Sequence, residues 1–243
     1  ELFGGPRLSG TLGERLLSPF QMALVTLVYA EGSISRSKVA RIMWGREADS
    51  RTRQSIRQLR LGVRQRAGES IVDTKGDMLM PLSSVDCDLQ EHLGKAEAGH
   101  LLDAATYLRG GFASAEVTGM NEGFHDWRDS FAANLTRRLT TRANIKWESC
   151  SRAQDWPGAR DAAEAMYLLE PREPEVAARV IEVRARVGRI HSAEVAFAEY
   201  REATKDPDRD DPRVEEVIQR VRQIQDEGGH QALPAAVPFV GRV

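Results

Sequence analysis

Cysteine is nearly absent from this chain. Cys87 and Cys150 are two in 243 residues, too few and too far apart for a disulfide framework or a CxxC metal site. They read as reduced, structural thiols in a cytoplasm. Long apolar runs are missing as well. The stretch from Met22 to Ala30 is short and amphipathic, well under the roughly 18 to 20 residues that a membrane span requires. The start, Glu1-Leu2-Phe3-Gly4-Gly5, has neither an initiator Met nor the charged and apolar regions of a signal peptide, so it reads as trimmed and export is not expected. Catalytic motifs are wanting too. No G-x-x-x-x-G-K-[ST] loop occurs: Gly94-Lys95 mimics its end, but Leu89 stands where the first Gly must be, and phosphates would lack a backbone cradle. There is no G-x-S-x-G elbow. His92, His100, His125, His191 and His230 show neither H-x-x-x-H nor H-E-x-x-H spacing, so no metal site is expected. The reading is a chain with no catalytic residue, cofactor or metal. With 41% hydrophobic residues it can bury the cores of one or two domains.

What the sequence does have is concentrated charge. From Ser33 to Gly68 stand Arg36, Lys38, Arg41, Arg46, Arg51, Arg53, Arg57, Arg60, Arg64 and Arg66 against Glu47 and Asp49, a net +8 inside a chain whose formal charge is −2. The remainder must therefore carry −10. One compact basic segment in an acidic protein is the footprint of a nucleic-acid-binding element, because releasing the counterions of phosphates needs clustered cations rather than a high average.

The pattern around that segment gives it a fold. Leu2 to Leu8 and Arg15 to Ser18 read as short strands separated by turn residues around Gly10 and Gly13. Ser18-Pro19 starts a helix whose Phe20, Leu24, Leu27 and Val28 recur at helical spacing up to Gly32. Ser35 caps a second, short helix that carries Val39, Ile42 and Met43 inward and ends at Gly45. Asp49 or Ser50 begins a third helix that runs to about Ala67. Then Ile71-Val72-Asp73-Thr74 and Met78-Leu79-Met80 flank the tight turn Lys75-Gly76. Strands, three helices and a terminal hairpin form the order of a winged helix-turn-helix.

In the third helix Ile56, Leu59 and Val63 fall within about 60° of one another and face a core. Arg51, Gln54, Gln58, Leu61 and Gln65 cluster on the opposite side. Glutamine pairs bidentately with adenine and arginine with guanine, so this face can read base edges in a major groove. The candidate base readers are Arg51, Gln54, Arg57, Gln58 and Leu61. Arg53, Arg57, Arg60 and Arg64 form a flanking stripe suited to phosphates, with Arg57 nearest the reading face, and Arg36 and the wing's Lys75 add backbone or minor-groove contacts.

The rest of the chain is helical in pattern. Phe124, Trp127, Phe131, Leu135 and Leu139 make one apolar stripe. Asp155-Trp156-Pro157-Gly158-Ala159, with Ala163, Leu169 and Pro171, is echoed 34 residues on by Arg189-Ile190-His191-Ser192-Ala193 with Phe197, the period and small-residue placement of tetratricopeptide helix pairs. Gly188 is placed at the turn between the helices of the second unit. Stacked pairs of this kind present a concave surface to partners. A charged, proline-bearing turn from Asp206 to Pro212 precedes a last helix, about Pro212 to Asp226, and Gly228-Gly229 with Ala232 to Pro238 reads as a linker.

At several points these residues resemble a known family. Leu2-Phe3-Gly4-Gly5-Pro6-Arg7-Leu8, Leu17 through Leu24, Ile34-Ser35-Arg36, Ile42-Met43-Trp44 and Ser55 through Arg60 are similar to the OmpR-type DNA-binding half of the SARP-like bacterial transcriptional activators. Val85-Asp86-Cys87-Asp88, Tyr107 through Phe112, and Phe124-His125-Asp126-Trp127 through Arg137-Arg138-Leu139 resemble the bacterial transcriptional activator domain that follows in that family. Phe239-Val240-Gly241-Arg242 resembles the opening of the STAND-type ATPase domain of larger members. The resemblance implies a mainly α protein with small β elements, a winged helix-turn-helix at 1–82, a tetratricopeptide-like activator domain at 83–226 and a linker at 227–243 to a C-terminal domain outside this sequence. It also implies a sequence-specific, double-stranded promoter DNA-binding regulator, an activator, on direct repeats, whose helical repeats mediate self-association as a homodimer, contact with RNA polymerase or intramolecular control, with no membrane association. The alternative left open by composition is a helical-repeat adaptor whose basic winged module binds protein or RNA.

Overall fold

The computed structural model describes residues 8–10, 13–15, 17–112, 119–204 and 211–226. Local capping chemistry sets the first elements. Helix α1 (Pro19–Glu31) begins with a reciprocal capping box: Ser18 Oγ accepts from the Gln21 amide at 3.4 Å while Gln21 Oε1 accepts from the Ser18 amide at 3.0 Å. Ser35 Oγ accepts from the Lys38 amide at 3.1 Å to start α2 (Arg36–Trp44). Asp49 Oδ1 accepts from the Thr52 amide at 2.7 Å to start α3 (Ser50–Ala67), and that bond is the main reason its carboxyl is held below the ordinary aspartate range. Gly45 closes α2 at φ 65°, a left-handed conformation open to glycine at little cost, and so permits the sharp turn into α3.

Two small antiparallel sheets complete this region. Strands β1 (Leu8–Gly10) and β2 (Gly13–Arg15) pair with each other. Strand β3 (Ile34–Ser35) pairs with β5 (Met78–Pro81), which pairs in turn with β4 (Val72–Lys75), the order being β3-β5-β4. The fold is a winged helix-turn-helix followed by helical repeats. Two sequence expectations need correction. The sequence pattern puts the first pair of strands at Leu2 to Leu8 and Arg15 to Ser18, whereas Gly10 and Gly13 are themselves paired strand residues and Ser18 is taken by the α1 cap; residues 2–7 lie outside the described ones. The β3 strand was not anticipated, because two residues are too few to show a period of two.

The chain divides into two compact units, Glu1–Arg138 and Leu139–Val243. The first contains α4 (Asp88–Glu97), α5 (Leu101–Arg109) and the opening of α6 (Glu122–Arg152) as well as the winged helix. Its core is continuous: Leu24, Leu27, Ile34, Met43, Ile56 and Leu79 are buried in one cluster with Leu89, Phe112, Phe124 and Leu135. Polar bonds tie the same elements together. Trp127 Nε1 donates to Glu31 Oε1 at 2.8 Å, and Lys38 Nζ donates to Glu31 Oε2 at 2.7 Å, so one carboxylate joins α1, α2 and α6. At the entry of α6, a Cβ on Gly123 would stand 3.2 Å from the Ile42 carbonyl oxygen, which lets the helix approach the end of α2. Tyr29 donates to the Ile71 carbonyl at 2.8 Å, and burial pushes its phenol up to about 12.

The second unit takes the rest of α6, then α7 (Trp156–Leu169), α8 (Pro174–Arg186), α9 (Ile190–Thr204) and α10 (Pro212–Asp226). Small residues set the spacing: Ala159 and its counterpart 34 residues on, Ala193, are both fully buried, as is Ala163, and Phe197 is buried in the core as well. A bidentate ion pair fastens each helix pair, Arg184 to Glu164 at 2.8 and 2.7 Å between α8 and α7, and Arg222 to Glu194 at 2.8 and 2.9 Å between α10 and α9. Gly188, at φ 77°, lies between α8 and α9. It therefore joins the two repeat units instead of the two helices of the second unit, as sequence spacing suggested. Of the turn expected at 206–212, residues 206–210 lie outside the described residues, as does the linker at 227–243.

Candidate nucleic-acid interface

Three contacts fix the rotation of α3. Ile56 and Val63 are each 1% exposed, and Thr52 is fully buried. Gly62 adds a close approach to α1, since a Cβ there would lie 2.2 Å from Gln21 Nε2. The opposite side is thereby forced outward. Arg51, Gln54, Arg57, Gln58, Leu61 and Gln65 are exposed, with Arg53 and Arg64 beside them and Arg60 half-buried.

Between α3 and the wing runs an open cleft of about 680 Å³. Its α3 wall carries Gln54, Gln58 and Leu61 together with Arg53, Arg57 and Arg60, and Arg36 from the start of α2 and Thr74 from β4 close it. Seven of the ten residues singled out from sequence thus converge on one cleft. Arg51, Arg64 and Lys75 do not line it: Arg51 sits in the first turn of α3, Arg64 in the last, and Lys75 is exposed at the end of β4, paired across the wing turn with Met78. The glutamines and the arginine stripe, which angular spacing set apart, share the cleft. It is polar, strongly cationic and floored by the buried Ile56 and Leu79.

Sequence reasoning missed two residues here. Asp77, in the wing turn, accepts from the Arg36 amide through its backbone carbonyl at 3.0 Å, and its Oδ1 stands 3.9 Å from Arg36 Nη1. Nothing local announces a pair 41 positions apart in the chain. The other is Gly62, whose signal was present: a glycine inside an 18-residue helix costs about 1 kcal/mol against alanine, so a packing reason was to be expected. Asp77 yields a prediction. Its carboxylate is paired with a cation of the cleft, so Asp77→Asn is expected to free Arg36 and raise affinity for duplex DNA of any sequence by about three- to fivefold at low salt, within the range of an exposed ion pair. Titration of labelled random duplex with both proteins measures it; unchanged affinity would mean that Arg36 faces no phosphate.

Among the described residues no group of three or more His, Cys, Asp or Glu could hold a metal ion, and no helix is long and apolar enough to cross a membrane. Comparison with protein-family models found no match, and neither did comparison with curated proteins. Among solved structures, the chain is similar to Mycobacterium tuberculosis EmbR in complex with a low affinity phosphopeptide, at 17% identity and a TM-score of 0.49, over 91% of this chain and 64% of that one. The chain thus spans less than two thirds of that protein's length.

Proposed function

We propose that this chain is a sequence-specific, double-stranded DNA-binding transcriptional regulator of the SARP type, acting as an activator. The observation that carries this reading is the cleft beside α3, where base-pairing amides and phosphate-seeking guanidiniums stand on one convex helix next to a wing. Such a ridge suits the major groove of B-DNA, which is about 12 Å wide and admits a helix. It does not suit A-form RNA, whose major groove is too deep and narrow for side chains to read; this favours duplex DNA over the RNA-binding adaptor. In this reading α3 enters the groove, Arg53, Arg57 and Arg60 hold the flanking phosphates, and Lys75 on the wing reaches the adjacent backbone or minor groove.

A single winged helix covers a short half-site, and so small an interface seldom selects one promoter from a genome of competitors. The helical repeats supply the remaining affinity by contacting a second copy on a direct repeat or RNA polymerase. The deciding experiment is selection from a random duplex pool by the 243-residue chain, followed by isotherms on one-site and two-site DNA. A recurring motif in direct repeat, bound cooperatively, is expected. The fragment 1–138, which keeps the whole first unit, should bind single sites and lose cooperativity. Failure to enrich any sequence would refute the assignment.

A further inference from the structure

Leu61 is out of place on a solvated helix face. It is 37% exposed, although its neighbours along that ridge are Gln54, Gln58 and Gln65, all exposed. Positions 54, 58, 61 and 65 follow one another at helical spacing in a single file. Leu61 cannot turn inward. Ile56 and Val63 fill the core side, and the adjacent Gly62 is pressed against Gln21 so closely that even a methyl group would collide. Leu61 instead forms part of the cleft wall beside Gln54 and Gln58.

The major groove offers an apolar side chain one natural counterpart, the C5-methyl of thymine, and offers glutamine the N6 and N7 edge of adenine. An apolar knob with glutamines about one turn to either side is the complement of a thymine flanked by adenines. We propose that Leu61 packs on a thymine C5-methyl in the operator, with Gln58 and Gln65 reading the neighbouring adenines, so that the core of the half-site is A·T. This specificity rests on the duplex-reading function proposed above.

Deoxyuridine removes the methyl and nothing else. In the operator recovered by selection with the 243-residue chain, each thymine is replaced singly by deoxyuridine. The wild-type chain is expected to lose about three- to fivefold in affinity at one or two adjacent positions, the effect of one buried methyl. Leu61→Ala is expected to bind the unmodified operator more weakly by a similar factor and to be indifferent to deoxyuridine there, the two lesions being non-additive. Leu61→Met, which keeps an apolar contact, should retain the sensitivity. If every deoxyuridine substitution is neutral, or if Leu61→Ala responds as the wild type does, the methyl contact is overturned while duplex reading stands. If no sequence is enriched in the first place, both fall.

Discussion

Replacing Arg53, Arg57 and Arg60 together by alanine is expected to lower affinity for every duplex by about a hundredfold, at about 1 kcal/mol for each exposed charged contact. All three line the cleft from one flank of α3. None belongs to the buried core, so the variant should melt like the parent. The stronger signature is in the salt dependence. Each phosphate neutralised adds about 0.9 to the slope of log affinity against log salt, so removing three contacts should flatten it by nearly three. Random duplex should lose affinity and slope as the operator does, because phosphates carry no sequence information, and any further loss confined to the operator would measure the base contact of Arg57. An unchanged slope would mean that these arginines serve the fold or another partner.

The second large effect concerns what holds the reading helix in place. Phe124 is fully buried, its ring centroid 5.7 Å from that of Trp127, in the same cluster as Ile56 of α3. Deleting an aromatic ring from such a site costs about 3 to 5 kcal/mol, a large share of a domain's stability. Phe124→Ala should therefore lower the melting temperature of the first unit sharply and weaken DNA binding, although the residue lies 42 positions beyond residue 82. For the same reason a fragment ending at residue 82 loses Leu89, Phe112, Phe124 and Leu135 from its core, whereas 1–138 retains them. Thermal melts of both fragments test this. A cooperative transition for 1–82 at the temperature of the longer fragment would show that the winged helix is complete without α4 to α6.

Much of the architecture could be read from the chain because it is written locally. Ser18, Ser35 and Asp49 are capping residues followed by periodic apolar positions, and each begins the helix that its chemistry demands. The 18 residues of α3 hold enough turns for Ile56 and Val63 to define one face and the glutamines the other. The 34-residue echo of Ala159 in Ala193 exposed the repeat, since both alanines sit where helices approach closely. What escaped is nonlocal. An apolar stripe such as Phe124 to Leu139 declares that it will be covered but not by what, and its first half completes the core of the winged helix. The Arg36 to Asp77 pairing depends on the wing folding back against α2. The place of Gly188 between α8 and α9 is not legible from the period, because a period fixes the length of a repeat without fixing its starting point.

The central claim is that α3 reads base edges from the major groove, and chemical interference tests it most directly. Dimethyl sulfate methylates guanine N7 in the major groove and adenine N3 in the minor groove, so one modified operator pool reports both. Separating bound from free DNA with the 243-residue chain should show methylated guanines excluded from the bound fraction within or beside the half-site core, with adenine N3 interference confined to the flank that the wing reaches. Interference at adenine N3 throughout the core, with guanine N7 methylation tolerated everywhere, would contradict the account.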